Sequence, residues 1–182
     1  MKTIRHNSLL MVLLMVLNGC SNGTLVVAHD GPDVRYEVYG LHLLMGLWST
    51  SVPISRHLSL TSAHSARFGW HHVVAYNDAC DVALISEDNA GYDPQPFGLV
   101  FQQHSVSTYG MSMLGYTKTS NGIYESDVSL STGYLSSECV ASVMTAPVSV
   151  GMSGGGVYNL QRQLVGIIVA FVNNGCITHP QR

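Results

Sequence analysis

Charge is scarce in this chain. Lys, Arg, Asp and Glu make up 10% of its 182 residues, and the net charge is −3. A chain so poor in charge and 46% hydrophobic is not disordered, since disorder needs the opposite composition. It has no basic stripe, so the electrostatic footprint of nucleic-acid binding is missing and no nucleic-acid partner is expected. Amphipathic helices are lacking too. Past the amino terminus, no segment longer than ten residues keeps a 3.6-residue apolar period without a breaker, which argues against a helical bundle or an alternating helix–strand fold. There are only four cysteines, and no Cys or carboxylate cluster stands at metal-ligand spacing. His57, His71 and His72 do not change this, because the adjacent pair would face opposite sides of a strand. No metal and no other cofactor is expected.

The amino terminus reads as an export signal. Lys2 and Arg5 precede an unbroken apolar run, residues 9–17, LLMVLLMVL. Nine residues are too few to cross a bilayer but suit the apolar region of a signal peptide. The run leads into Leu17-Asn18-Gly19-Cys20, which resembles the bacterial lipobox. That resemblance implies a signal peptide over residues 1–19 and lipid attached to Cys20. Ser21, a residue other than Asp after the cysteine, implies delivery to the outer membrane. The expected location is the periplasmic face of a bacterial outer membrane, held by a lipid anchor, or secretion. Either compartment is oxidising, so cysteines can pair there. With Cys20 lipidated, Cys80, Cys139 and Cys176 remain, an odd number.

The rest of the chain is a series of short apolar or alternating runs broken by Gly, Asn, Asp, Pro and Ser. Residues 34–44, 57–62, 72–76, 82–85, 99–106, 111–116, 139–144 and 163–171 are the candidate strands, most of them rich in β-branched or aromatic residues. Many short strands with frequent turn signals predict an all-β sandwich or barrel. The polar stretch 86–98, SEDNAGYDPQPFG, reads as a loop because its prolines and glycines punctuate structure. Its second half, residues 91–98, separates a lobe over 20–90 from one over 99–182.

Three segments carry chemistry. Residues 58–64, LSLTSAH, end on His64. Residues 81–85 are DVALI, beginning at Asp81. Residues 151–157, GMSGGGV, surround Ser153 and precede QLVGI at 163–167. A serine hydroxyl needs a base within hydrogen-bond reach, and histidine is suited to that task. The histidine needs a carboxylate on its other nitrogen. The tetrahedral intermediate needs backbone N–H donors. A glycine-rich turn supplies them, here from Gly151 and Ser153. The sequence Gly-Met-Ser-Gly-Gly also fits the nucleophile elbow of α/β-hydrolases. That fold requires the order Ser, acid, His, and no Asp or Glu follows Ser153, so it is excluded.

In the order His, Asp, Ser these segments resemble the trypsin-like serine proteases of the chymotrypsin fold. The resemblance implies two Greek-key β-barrels with a cleft between them. His64 and Asp81 would come from the first barrel and Ser153 from the second. It implies a serine endopeptidase acting on protein or peptide substrates through an acyl-enzyme. The alternative is a catalytically silent trypsin-like binding module on an envelope or surface lipoprotein. Only 17 residues separate His64 from Asp81, so the first barrel must be trimmed, and Asp78 stands as an alternative acid. Gly156 replaces the family's usual proline, and Met152 replaces an aspartate that pairs with a processed amino terminus in digestive members. A disulfide between Cys139 and Cys176, bracing the specificity pocket, is also implied, with Cys80 a free buried thiol. The segments expected to line that pocket, 145–150 and 169–172, contain no charged residue. They imply a preference for an apolar or small side chain before the scissile bond.

Overall fold

The computed structural model describes residues 21–39, 47–69, 71–129, 135–136 and 138–171. Among these residues lie eleven strands and one helix. They are β1 (Val26–Val27), β2 (Arg35–Tyr39), β3 (Leu47–Pro53), β4 (Leu58–Ser62), α1 (Ala63–Phe68), β5 (His72–Asn77), β6 (Val82–Ser86), β7 (Ser105–Met111), β8 (Thr117–Ser129), β9 (Val140–Met144), β10 (Gly156–Tyr158) and β11 (Leu164–Ile167).

The strands form two sheets, as the all-β reading predicts. The first runs β2-β3-β4-β6-β5, and the second runs β1-β8-β7-β10-β11 with β9 paired to β8. All strand pairs are antiparallel. Neither sheet closes on itself among the described residues. The short interval between His64 and Asp81 holds only the rest of α1, strand β5 and a turn, which is how the first lobe is trimmed.

Where the sheets meet, Val34 and Val52 pack with Met111, Tyr158 and Leu164. Val52 and Leu164 are almost wholly buried, and removing each from water contributes roughly 1.5–3 kcal/mol. A second apolar cluster lies inside the second lobe: Val106, Ala146, Val148, Met152, Val157 and Ile168. A small third one, Ala63, Ala66, Ala83 and Ile85, fixes α1 on the first sheet.

Several sequence expectations need correction. Four strands, β1, β3, β8 and β10, were not anticipated: β1 and β10 are only two and three residues long, and β3 and β8 are rich in Ser and Thr rather than apolar residues. In β3, successive side chains point to opposite faces and both faces are buried, so polarity does not alternate. Within 111–116 only Met111 is in a strand; the rest is a turn, closed by Ser112 N–H donating to the Tyr116 carbonyl at 2.9 Å. Residues 99–104 turn before β7 begins. Past Ser86, the last residue of β6, the 86–98 stretch is a loop with a single bridge from Phe97 to Leu164, but it is pinned down. Buried Asn89 donates to the carbonyls of Ser55 and Leu58 at 2.8 and 3.1 Å.

Candidate active site

His64 is the second residue of α1. The first N–H groups of a helix have no partner within it, and here the Asp81 region supplies them. The Ala63 N–H donates to the Asp81 carbonyl at 2.8 Å. The His64 N–H donates to Asp81 Oδ1 at 2.7 Å, and His64 Nδ1 lies 2.5 Å from Asp81 Oδ2. One carboxylate therefore caps the helix and orients the imidazole that the helix carries. Asp81 is 3% exposed and His64 is half-buried, so the acid is screened from water while the ring is reachable. Asp81 has φ 54°, in the left-handed region where aspartate is among the better tolerated residues. The alternative acid, Asp78, is elsewhere: it is exposed and pairs with Arg67.

Ser153 sits in the turn between β9 and β10, held against the first lobe by β3. The Thr50 N–H donates to the Ser153 carbonyl at 2.9 Å, and the Gly154 N–H to the Ile168 carbonyl at 2.7 Å. Gly154 has φ 80°, and a Cβ there would lie 2.1 Å from the Thr50 carbonyl and 2.9 Å from Ser62 N. Only glycine fits both that dihedral and that gap. Ser62 is the N-cap of α1, so the backbone beside Ser153 touches the start of the helix that carries His64. Gly151, with φ 88°, lies under the Trp48 indole, whose Nε1 would be 1.7 Å from an added Cβ. The structure thus pairs His64 with Asp81 and seats the Ser153 turn, with Gly151, beside their helix.

No family model matches the chain, and no curated protein matches it. Solved structures do. The Rv3671c protease from M. tuberculosis in its active form superposes with TM-score 0.62 at 18% identity, covering 85% of this chain and 83% of that one. Deg5 superposes with TM-score 0.60 at 14% identity, over 78% of this chain and 80% of that one. The HtrA-type protease AlgW with a tripeptide gives TM-score 0.63 at 16% identity over 76% of this chain. The chain spans only half the length of that AlgW structure.

The fold is that of the trypsin-like serine proteases. Within it, the two lobes are bonded in a way the sequence reading did not foresee. Cys139 forms a disulfide with Cys80, with Cα atoms 5.1 Å apart, and not with Cys176. Cys80 is therefore not a free thiol; it is the residue before Asp81, and its neighbour Ala79 accepts from the Ser136 N–H at 3.0 Å. Ser136 and Cys139 of the second lobe are thus brought to the turn that presents the acid. The resemblance directed the pairing elsewhere. Cys176, Cys20 with residues 1–19, and Val172 of the expected pocket wall lie outside the described residues.

The amino-terminal residues that are described reach the same region. Ser21 bridges Ser149, and Asn22 exchanges two hydrogen bonds with Val148, 3.2 Å through its N–H and 2.7 Å through Oδ1. Val148 and Ser149 lead directly into the nucleophile turn, since the Met152 N–H donates to the Ser149 carbonyl at 3.1 Å. The described part of the expected pocket wall carries no charge; Ala146 and Val148 are buried in one apolar cluster, and Ser149 is buried as well.

A second polar cluster also escaped the sequence reading. Glu37, His71 and Glu87 place ligand atoms within 4.8 Å of one another. His71 faces Glu37 through Nε2 at 3.6 Å and Glu87 through Nδ1 at 3.5 Å. Arg35 Nε lies 3.6 and 3.5 Å from the same two carboxylates, bringing positive charge of its own to the place where a metal would sit. Burial, then the nearby Glu87 charge, pushes the Glu37 carboxyl up to about 7. No spacing motif links 37, 71 and 87; the strand pairings alone unite them.

Proposed function

We propose that this chain is a serine endopeptidase. The observation that carries the reading is the His64–Asp81 couple, built into the helix that abuts the Ser153 turn, in a protease fold. Ser153 Oγ attacks the scissile carbonyl as His64 takes its proton. The oxyanion draws hydrogen bonds from the N–H groups of Gly151 and Ser153. The intermediate collapses as His64 returns the proton to the leaving amine, and water then releases the acyl group by the same path in reverse. The substrate is a protein or peptide segment, a reading supported by the tripeptide bound to the structurally similar AlgW. The uncharged wall at 145–150 favours an apolar or small side chain before the scissile bond. The enzyme acts in the cell envelope, anchored by lipid on Cys20 at the periplasmic face of the outer membrane, or after secretion.

Fluorophosphonate labelling of the folded protein tests the chemistry. Ser153 takes up the probe, and Ser153→Ala does not, while losing on the order of 10⁶ in kcat. Folded protein that neither labels at Ser153 nor cleaves an unfolded protein substrate would instead be a silent trypsin-like binding module. Intact-mass measurement of membrane-extracted protein tests the anchor, since a mature chain starting beyond Cys20, or an unmodified Cys20, rules it out.

A further inference from the structure

We propose that Thr50, on β3, is the positioning residue that holds the nucleophile turn in its reactive shape. The inference deepens the reading of Ser153 as nucleophile and rests on it. The turn has a weakness built into its sequence. Gly151, Gly154 and Gly155 surround Met152 and Ser153, and glycine peptides rotate at little cost. Donors aimed at an oxyanion must be fixed before the reaction to be effective. Inside the turn the Gly155 N–H holds the Met152 carbonyl at 2.8 Å, and something outside the turn has to hold the Gly151 and Ser153 carbonyls on either side of it.

Thr50 is placed to do so with its polar atoms. Its hydroxyl donates to the Gly151 carbonyl at 3.0 Å and accepts from the Met111 N–H at 2.8 Å. Its backbone N–H donates to the Ser153 carbonyl at 2.9 Å. Its own carbonyl accepts from Thr61 Oγ1 at 2.8 Å, tying it to β4, the strand that leads into α1. Thr50 is fully buried, so water does not compete for these bonds. The two turn carbonyls it holds flank the Met152–Ser153 peptide, whose N–H is a proposed oxyanion donor. A β-branched side chain has few χ1 states, so the hydroxyl direction is set by the strand. Trp48, two residues earlier on the same face of β3, covers Gly151 and closes the space into which that peptide could swing.

The test compares Thr50→Val, which keeps the shape and removes the hydroxyl, with Thr50→Ser, which keeps the hydroxyl. For Thr50→Val, kcat falls about 10- to 100-fold with KM within about threefold, less than the loss of a direct oxyanion donor. Thr50→Ser stays within about threefold of wild type in both constants, as rescue by the retained hydroxyl requires. Amide hydrogen exchange gives a readout that needs no activity. In Thr50→Val it speeds up over residues 149–155 and stays as in wild type at Val106 and Val157; in Thr50→Ser it is unchanged throughout. Wild-type kcat in Thr50→Val, or an equal loss in both variants, overturns the proposal. So does exchange that rises evenly across the chain with kcat per folded molecule unchanged. If wild type itself neither labels nor hydrolyses, the nucleophile reading has failed, and exchange alone decides whether Thr50 holds the turn. If Thr50→Val does not fold, Thr50→Cys, a weaker donor of similar size, must give an intermediate kcat and intermediate exchange, and wild-type values for both overturn the proposal.

Discussion

The two lobes share an architecture and differ in what fills them. The second lobe packs Val106, Val148, Met152, Val157 and Ile168 against one another, and among the described residues it buries hydroxyls such as those of Thr108, Ser120 and Tyr158 but no carboxylate. The first lobe buries Glu37, Asp81, Asn89, Ser51, Ser59 and Thr61. Strand β3 shows how one element serves both environments. Trp48, Thr50 and Val52 face the second lobe, where Val52 joins the apolar interface and Thr50 bonds to Gly151. Ser51, on the opposite face, donates to Glu37 at 2.7 Å, and its oxygen lies 3.1 Å from a Glu87 carboxylate oxygen. An apolar interior is forgiving in direction, whereas a hydrogen-bonded one fixes angles. The lobe that orients His64 is the one built from directional bonds, and it lends one of its strands to hold the turn of the other lobe.

The largest effect comes from breaking the directional side at its centre. Asp81→Asn keeps the shape but replaces an acceptor oxygen with an amide donor, disturbing both the helix cap and the imidazole orientation. In steady-state assays kcat falls by about 10⁴, the size of the corresponding change in a well-studied triad. Asp78→Asn removes only an exposed ion pair with Arg67 and leaves kcat within about twofold, since such pairs contribute little. Reversed outcomes for these two variants would transfer the acid role to Asp78.

The next effect comes from cutting the covalent link between the lobes. Cys80 and Cys139 are 59 residues apart, and closing a loop of that length contributes about 4 kcal/mol in the chain-entropy account. Replacing both with Ala lowers stability by roughly 2–5 kcal/mol in urea unfolding. Because Cys80 adjoins Asp81, activity is lost at lower urea than second-lobe structure. If both midpoints move together, the bridge acts only on the unfolded chain and does not brace the acid.

What was legible in the sequence divides along the same line. Strands β4, β5 and β6 were readable because apolar or β-branched residues recur in LSLTS, HVVAYN and VALIS. The His64, Asp81 and Ser153 segments were readable by flanks that resemble those of the trypsin-like proteases, and the structure pairs His64 with Asp81. Strands β3 and β8 were not, since buried Ser and Thr look like loop residues until their partners are known. Met111 to Tyr116 looked apolar enough for a strand, yet Gly115, with φ 78°, is built for a turn. The disulfide and the Glu37–His71–Glu87 cluster join residues distant in sequence, and pairing of that kind is set by topology rather than by spacing.

The smallest effect sharpens the contrast between the interiors, because only one of them buries carboxylates among the described residues. Glu37 projects from β2 into a cluster with Glu87, His71, Arg35 and the Ser51 hydroxyl. Burial and the Glu87 charge raise its carboxyl to about 7, against the opposing pull of Ser51 and Arg35. A raised value means that the folded state holds the proton more tightly than the unfolded chain does. The stability from this group is therefore fully present below about 4.5, the ordinary value, and is lost as pH rises through about 7. Glutamine resembles the protonated carboxyl in shape and has no proton to lose. Between pH 5 and 8, Glu37→Gln therefore shows a shallower fall in urea midpoint than wild type, with the curves converging or crossing near the upper end. Ile168→Ala, in the apolar interior, lowers the midpoint by roughly 2–5 kcal/mol of stability at every pH and leaves the slope unchanged. Parallel pH curves for wild type and Glu37→Gln would mean that the proton is held elsewhere in the cluster. A changed slope in Ile168→Ala would mean that the two interiors are not independent.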